Sequence, residues 1–267
     1  MLWNASFLRG FAIEATDGQI GTVGDLLFDD HSWVLRWLVV KSGSWLSSRE
    51  VLLPLSALGK PEAGTRAFSV HLTRQQVSDS PKIETDLPVS RHQEAHVYNH
   101  YDWNPYWTSG FAPVSNAIAT PLRLPFARGD VPPRYQDNGT DAVQDEGDPN
   151  LRSIAAVTGY HIVATDGDIG HVEDFLIDDE SWHLSFMTVD TKNWLPGARV
   201  LLPVRMIREI DWFNKQLHVN ADRQKVKGSP LYDPQMTSDG PFNDRSHQYF
   251  GLTLLDGDQR RKLKIGR

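Results

Sequence analysis

Apolar residues along this chain come in short runs of period two, separated by Gly, Asp and Asn, a pattern that predicts β-strands joined by tight turns. Residues 11–15 lead into the turn Thr16-Asp17-Gly18, and residues 20–29 then alternate between two sides, one of which carries Gly21, Val23, Asp25, Leu27 and Asp29. The next turn, 29–33, opens 35–40, which is apolar on both sides and so reads as a central or covered strand. Residues 51–54 and 67–71 supply further short strands. Thr73 with Gln76 three positions on predicts a capping box at the start of a short helix.

The whole arrangement occurs twice. Residues 10–21 align with 159–170 at a shift of 149, and the register runs without a gap to 83 and 232, with 29 of 74 positions identical. A tandem duplication of a small module follows. Gly21, Val23, Asp25, Leu27 and Asp29 are matched by Gly170, Val172, Asp174, Leu176 and Asp178, whereas the opposite side keeps only Ile20 as Ile169. Period-two identity of this kind predicts a strand with one constrained face. Many short strands with Gly/Asp turns predict a small barrel, since closure removes exposed edges.

The expected fold is mainly β, with two small barrels, short helices and a partly disordered linker. The first barrel is expected at 1–83 and a helical, aromatic connecting segment at 84–112, its helix running from about Ser90 to Tyr101. A Pro-rich, acidic linker is expected at 113–150, the second barrel at 151–235 and a tail at 236–267. The copies are expected to pack on each other with approximate two-fold symmetry through the doubly apolar strands 35–40 and 184–189.

Composition narrows the function more than the fold. The 267 residues contain no cysteine, which excludes disulfides, thiolate metal sites and cysteine nucleophiles. A net charge of −7 argues against a general nucleic-acid or acidic-membrane binder, although Arg260–Lys264 forms a short basic cluster. No basic n-region with an apolar stretch opens the chain, and no run approaches the length of a membrane span, so a cytoplasmic location is expected.

The pattern Gly-x-x-Ile-x-Ala-Thr-Asp-Gly-x-Ile-Gly-x-Val-x-Asp-x-Leu-x-Asp-Asp-x-Ser-Trp, followed by Val-Leu-Leu-Pro, resembles the PRC-barrel family in both copies, 10–83 and 159–232. That family takes its name from the cytoplasmic barrel of the photosynthetic reaction-centre H subunit, and a related barrel occurs in a ribosome-maturation factor. The resemblance implies a small barrel used for assembly and protein contacts, with no common catalytic site. The chain departs from the reaction-centre subunit in lacking a transmembrane helix and from the ribosome factor in its domain arrangement.

Candidate residues fall into three groups. Asp17 and Gly18, with Asp166 and Gly167, are expected to be structural: glycine supplies positive φ and aspartate accepts from nearby amides. Gly21, Asp25, Gly170 and Asp174 are likewise expected to be structural, because an aspartate flanked by valine and leucine must find donors if that face is the core. His92, His96 and His100 lie along one helical stripe and form the only candidate metal set, although Glu94 points away from where such an ion would sit; a solvated helix face is the expected reading, with no metal and no cofactor. Trp45, Trp194, Trp103 and Trp107 are candidate partner contacts. No phosphate loop, dinucleotide loop or nucleophile elbow is present. A non-enzymatic scaffold or adaptor for protein–protein assembly is the expected function, with an unidentified protein partner and possible homo-oligomers. A metal- or small-ligand-binding regulatory module and a reaction-centre-like or ribosome-assembly accessory role are the alternatives.

Overall fold

Two turn types shape each repeat. The computed structural model describes residues 1–43, 46, 49–81, 91–101, 151–191, 199–232, 245–246 and 248–251. Repeat 1 runs β1 (Leu2–Asn4), α1 (Ala5–Leu8), β2 (Ala12–Ala15), β3 (Gly18–Asp29), β4 (Val34–Ser42), β5 (Glu50–Pro54), β6 (Ala67–Ser69) and α2 (Arg74–Ser78). Helix α3 (Arg91–His100) follows. Repeat 2 runs β7 (Leu151–Ser153), α4 (Ile154–Val157), β8 (His161–Ala164), β9 (Gly167–Asp178), β10 (Leu184–Asp190), β11 (Arg199–Pro203), β12 (Ile207–Asp211), β13 (Gln216–Val219) and α5 (Arg223–Lys227). Gly18 and Gly167 both take φ +133°, closing the β2–β3 and β8–β9 hairpins. At the second turn Asp29 accepts from the amides of His31 (3.0 Å) and Ser32 (2.8 Å), and Asp178 from those of Glu180 (3.1 Å) and Ser181 (2.8 Å). Those bonds hold Trp33 and Trp182 in the left-handed region, at φ 57° and 56°. The capping box is formed: Thr73 accepts from the Gln76 amide and the Gln76 side chain accepts from the Thr73 amide.

Both sheets are curled. One follows the order β5-β4-β3-β2-β6, with residues 58 and 62 bridging to 70 and 67 beyond β6. The other follows β11-β10-β9-β8-β13-β12. In the second path the end strands β11 and β12 are joined by a single 3-10 turn at Val204–Met206, and in the first the 3-10 turn Leu55–Ala57 leads from β5 directly to Leu58, which bridges to Val70 just past β6. Three residues reach only about 10 Å, so the two ends of each sheet must approach and the sheet is barrel-like. Short strands and this curling leave little open edge.

The compact units cut across the repeats. One unit comprises Ala5–Ala156 with Asp178–His183, and the other Met1–Asn4, Val157–Ile177 and Leu184–Arg267. Strand β7, which belongs to repeat 2, pairs with β3, and β1, which belongs to repeat 1, pairs with β9. Segments 1–83 and 151–235 are therefore not self-contained: each sheet takes its flanking strand from the other repeat. Residues 113–150 lie outside the described residues, and of 84–112 and 236–267 only 91–101, 245–246 and 248–251 are described.

The interior is filled from both sides of β3 and β9. Ile20, Leu26 and Phe28 are fully buried, as are Ile169, Phe175 and Ile177, and Val23, Leu27, Val172 and Leu176 on the identical side are buried as well. Bulges between Val23 and Asp25 and between Leu27 and Phe28 break the alternation, letting Val23 and Leu27 also turn inward. Strand β4 is buried on both sides as expected, with Leu35, Trp37, Leu38, Val39 and Val40 all buried.

Candidate interaction site

The identical face of β3 is built to receive a strand and a helical turn. Asp25 Oδ1 accepts from its neighbour Leu26 N at 2.8 Å and from Ala155 N at 3.1 Å, and Oδ2 accepts from Ser153 Oγ. Arg9 Nη2 stands 3.9 Å from the same carboxylate. Ser153 Oγ in turn accepts from Ala156 N at 3.0 Å, so the aspartate and serine together satisfy the first amides of α4. Strand β7 lies antiparallel to β3, with Leu27 opposite Ser153 and Asp29 opposite Leu151. Arg152 Nε donates to Asp30 Oδ2 at 3.0 Å, which locks the outer end of the strand. In the second unit Asp174 is buried, its Oδ1 accepting from Phe175 N at 2.8 Å, and Asn4, which corresponds to Ser153, accepts from Tyr232 Oη at 2.8 Å. Burial, more than any other influence, raises the pKa of the Tyr232 phenol, although the Asn4 bond opposes it.

Asp17 and Asp166 reach further than the sequence indicated. Each accepts, at 2.8 Å, the amide of an arginine 57 residues away, Arg74 or Arg223, which opens α2 or α5. The Thr-Asp-Gly turn thus ties a hairpin to a helix start, where a negative charge is favoured. Gly21 and Gly170 are required by close approach, since a Cβ there would lie 2.1 Å from Lys41 O or 2.0 Å from Asp190 O.

Helix α3 brings in residues the repeat comparison could not reveal. Glu94 is fully buried and its Oε1 accepts from Trp37 Nε1. Val97 and Tyr98 pack with Leu27, Trp37, Val39, Leu52 and Leu151, and the Trp37 and Tyr98 rings meet edge-on at 4.9 Å. Burial pushes the Tyr98 phenol well above its usual range, with the Glu94 charge adding to the effect, and burial pushes Tyr101 up to about 12. His100 Nε2 lies 2.9 Å from Gln76 O, and Tyr249 Oη donates at 2.8 Å to Lys225 O. Both pairs of positions differ by 149, so the module extends past 83 and 232 to include a docked helical segment. Sequence identity is too low there to show it.

Replacing Glu94 by alanine is expected to leave Trp37 Nε1 buried without its acceptor, a cost of about 1–3 kcal/mol. Glu94→Gln should recover most of it. Urea unfolding followed by tryptophan fluorescence checks this, and equal losses in the two variants would contradict the role of the bond.

Among the described residues no group of three or more His, Asp or Glu side chains is placed to hold a metal ion. His96 and His100 are exposed, and the His92 side chain lies outside what is described. A pair that sequence reading missed stands on repeat 2, where His161 and His171 face each other across β8 and β9 with ring centroids 4.3 Å apart. Trp45, Trp103, Trp107 and Trp194 lie outside the described residues, so nothing places them at a surface. The prominent exposed aromatic is instead Phe213, 94% exposed at the β12–β13 turn. Asp211 accepts from Asn214 N at 2.9 Å and Nδ2 at 2.7 Å, bonds that lower its carboxyl pKa and stiffen the turn. Trp212 packs edge-on against buried Tyr160 at 6.0 Å. Repeat 1 has Ala63 and Gly64 at these two places.

Residues 4–74 match the model of the PRC-barrel domain. The second curled sheet is consistent with a duplicate of that domain. An uncharacterized protein of Deinococcus radiodurans is 35% identical over 72 residues, which is 27% of this chain. The chain spans about a quarter of that relative's length, 26%. The PRC barrel is a non-catalytic scaffold type. No described helix is long and apolar enough to cross a membrane.

Proposed function

We propose that the chain is a non-enzymatic scaffold of two PRC-type barrels that mediates protein–protein assembly. The observation that carries this reading is Phe213, a large apolar side chain 94% exposed on a turn held rigid by Asp211 and Trp212. Folding gains nothing from such a residue, whereas a partner pocket gains a pre-ordered aromatic anchor. Repeat 1 offers Gly64 at the same point, so the two barrels present different surfaces and the partner contact is one-sided. Aromatic anchors of this kind dominate binding when they fill a pocket.

Phe213→Ser is expected to leave the unfolding midpoint unchanged, because the side chain is already in water. It should lower recovery of the cross-linked partner from native cells about tenfold, the effect of losing one strong anchor. Recovery of the same proteins at the same yield by both chains would reject this surface as the contact.

A further inference from the structure

Each sheet in this protein is completed by a strand from the other repeat, and the pieces are equivalent. Strands β1 and β7, like β3 and β9, are related by the 149-residue shift, with Leu2 matching Leu151. Leu151 is 4% exposed within the cluster around Trp37 and Leu52. Leu2 packs on the corresponding cluster of Leu176, Phe186 and Leu201, together with Tyr232. A receiving edge of this kind recognises backbone amides, one apolar side chain and one polar side chain. It does not sense whether the arriving strand is tethered to it.

We infer that these edges are strand-binding sites which the N-terminal segment of a second copy of this chain can fill, giving association by reciprocal strand exchange. Tethering favours the chain's own segment through its high local concentration, so the second copy gains access when that segment is lost or displaced. The polar position makes the sites selective. Asn4 Oδ1 takes the Tyr232 hydroxyl on the β9 side, and the residue of repeat 1 that matches Tyr232 in sequence is Ile83, a type that carries no hydroxyl. Arg152 pairs with Asp30 on the β3 side, where Trp3 of the other segment carries no charge. Each edge therefore prefers its own class of segment. This inference concerns the chain's own strands and stands whether or not Phe213 meets a partner.

The test uses the chain lacking residues 2–4, which opens the β9 edge and leaves β7 in place. The probe is a fluorescent peptide of residues 1–9, standing for the second copy's segment, followed by anisotropy. Expected is saturable binding to the shortened chain, at least tenfold weaker binding to the full chain, and at least tenfold weaker binding of the Leu2→Asp, Asn4→Leu peptide. Should the shortened chain be unfolded by circular dichroism, the peptide of residues 1–9 is expected to restore its β signal and the altered peptide is not. A folded shortened chain that ignores the peptide, equal binding of both peptides, or an unfolded one that neither peptide restores would overturn the inference.

Discussion

Alanine at Gly21 or Gly170 is expected to destabilise its barrel by about 3 kcal/mol or more, through an overpacking clash at both and backbone strain in addition at Gly170. The new Cβ would sit 2.1 Å from Lys41 O in the first case and 2.0 Å from Asp190 O in the second. Both obstacles are main chain, so no side chain can rotate away, and β3 must part from β4 or β9 from β10. At Gly170 the φ of +131° adds a conformation alanine avoids. The strands concerned carry the deepest residues of each unit, Phe28 and Trp37 in one and Phe175 and Phe186 in the other. Gly64, with nothing within 4 Å of its would-be Cβ, is the control, and its alanine variant should lie within about 0.5 kcal/mol of the parent. Urea denaturation of the three chains separates these outcomes.

Asp25→Ala is expected to cost about 2–3 kcal/mol, since hydrogen bonds to a charged acceptor are the strong ones. The variant removes the acceptor of Leu26 N, Ala155 N and Ser153 Oγ at once, and leaves Arg9 without its nearby carboxylate. The loss should be local. Hydrogen exchange is expected to quicken most in 151–156, the strand and turn that Asp25 receives, ahead of any change in β4 or β5. Uniform quickening across the unit would mean that the aspartate supports the barrel in general and not the exchanged strand.

The sequence was legible where the chemistry is local. The Asp29–Trp33 turn and the Thr73/Gln76 capping box each satisfy their backbone groups within a few residues, so residue type alone announced them, whereas Asp17 accepts the Arg74 amide 57 positions away. Identity between the repeats was also a true signal, but of a different property. Leu26 and Phe28 became Phe175 and Ile177 while staying fully buried, because a core accepts any apolar side chain of suitable bulk. Gly21 and Asp25 did not change, because a clash with a carbonyl and a set of three donors admit no substitute. The constrained face thus carries the receiving edge and its close crossing as well as part of the core.

What stayed hidden is non-local. Strands β1 and β7 are three residues each and share only Leu2 with Leu151, too little for periodicity or identity to register. Their partners lie more than 120 residues away, as Ser153 does from Asp25, 128 positions off. The acceptor role of Glu94 was not legible because it exists only once Trp37 is opposite it. Phe213 sits in a turn whose Asp211 and Asn214 give an ordinary turn signal, and nothing in that signal says which way the aromatic faces.

Cleavage between the repeats tests the strand exchange most directly. A recognition site for a sequence-specific protease, placed within 113–150, divides the chain into one fragment with β1 and repeat 1 and another with β7 and repeat 2. Reciprocal exchange predicts two bands on a denaturing gel but one species of full mass by light scattering in native buffer at micromolar concentration. The Asp25→Ala chain should release its fragments at lower urea than the parent. Two fragments that elute separately in native buffer, each still folded, would contradict the exchange and restore two self-contained barrels.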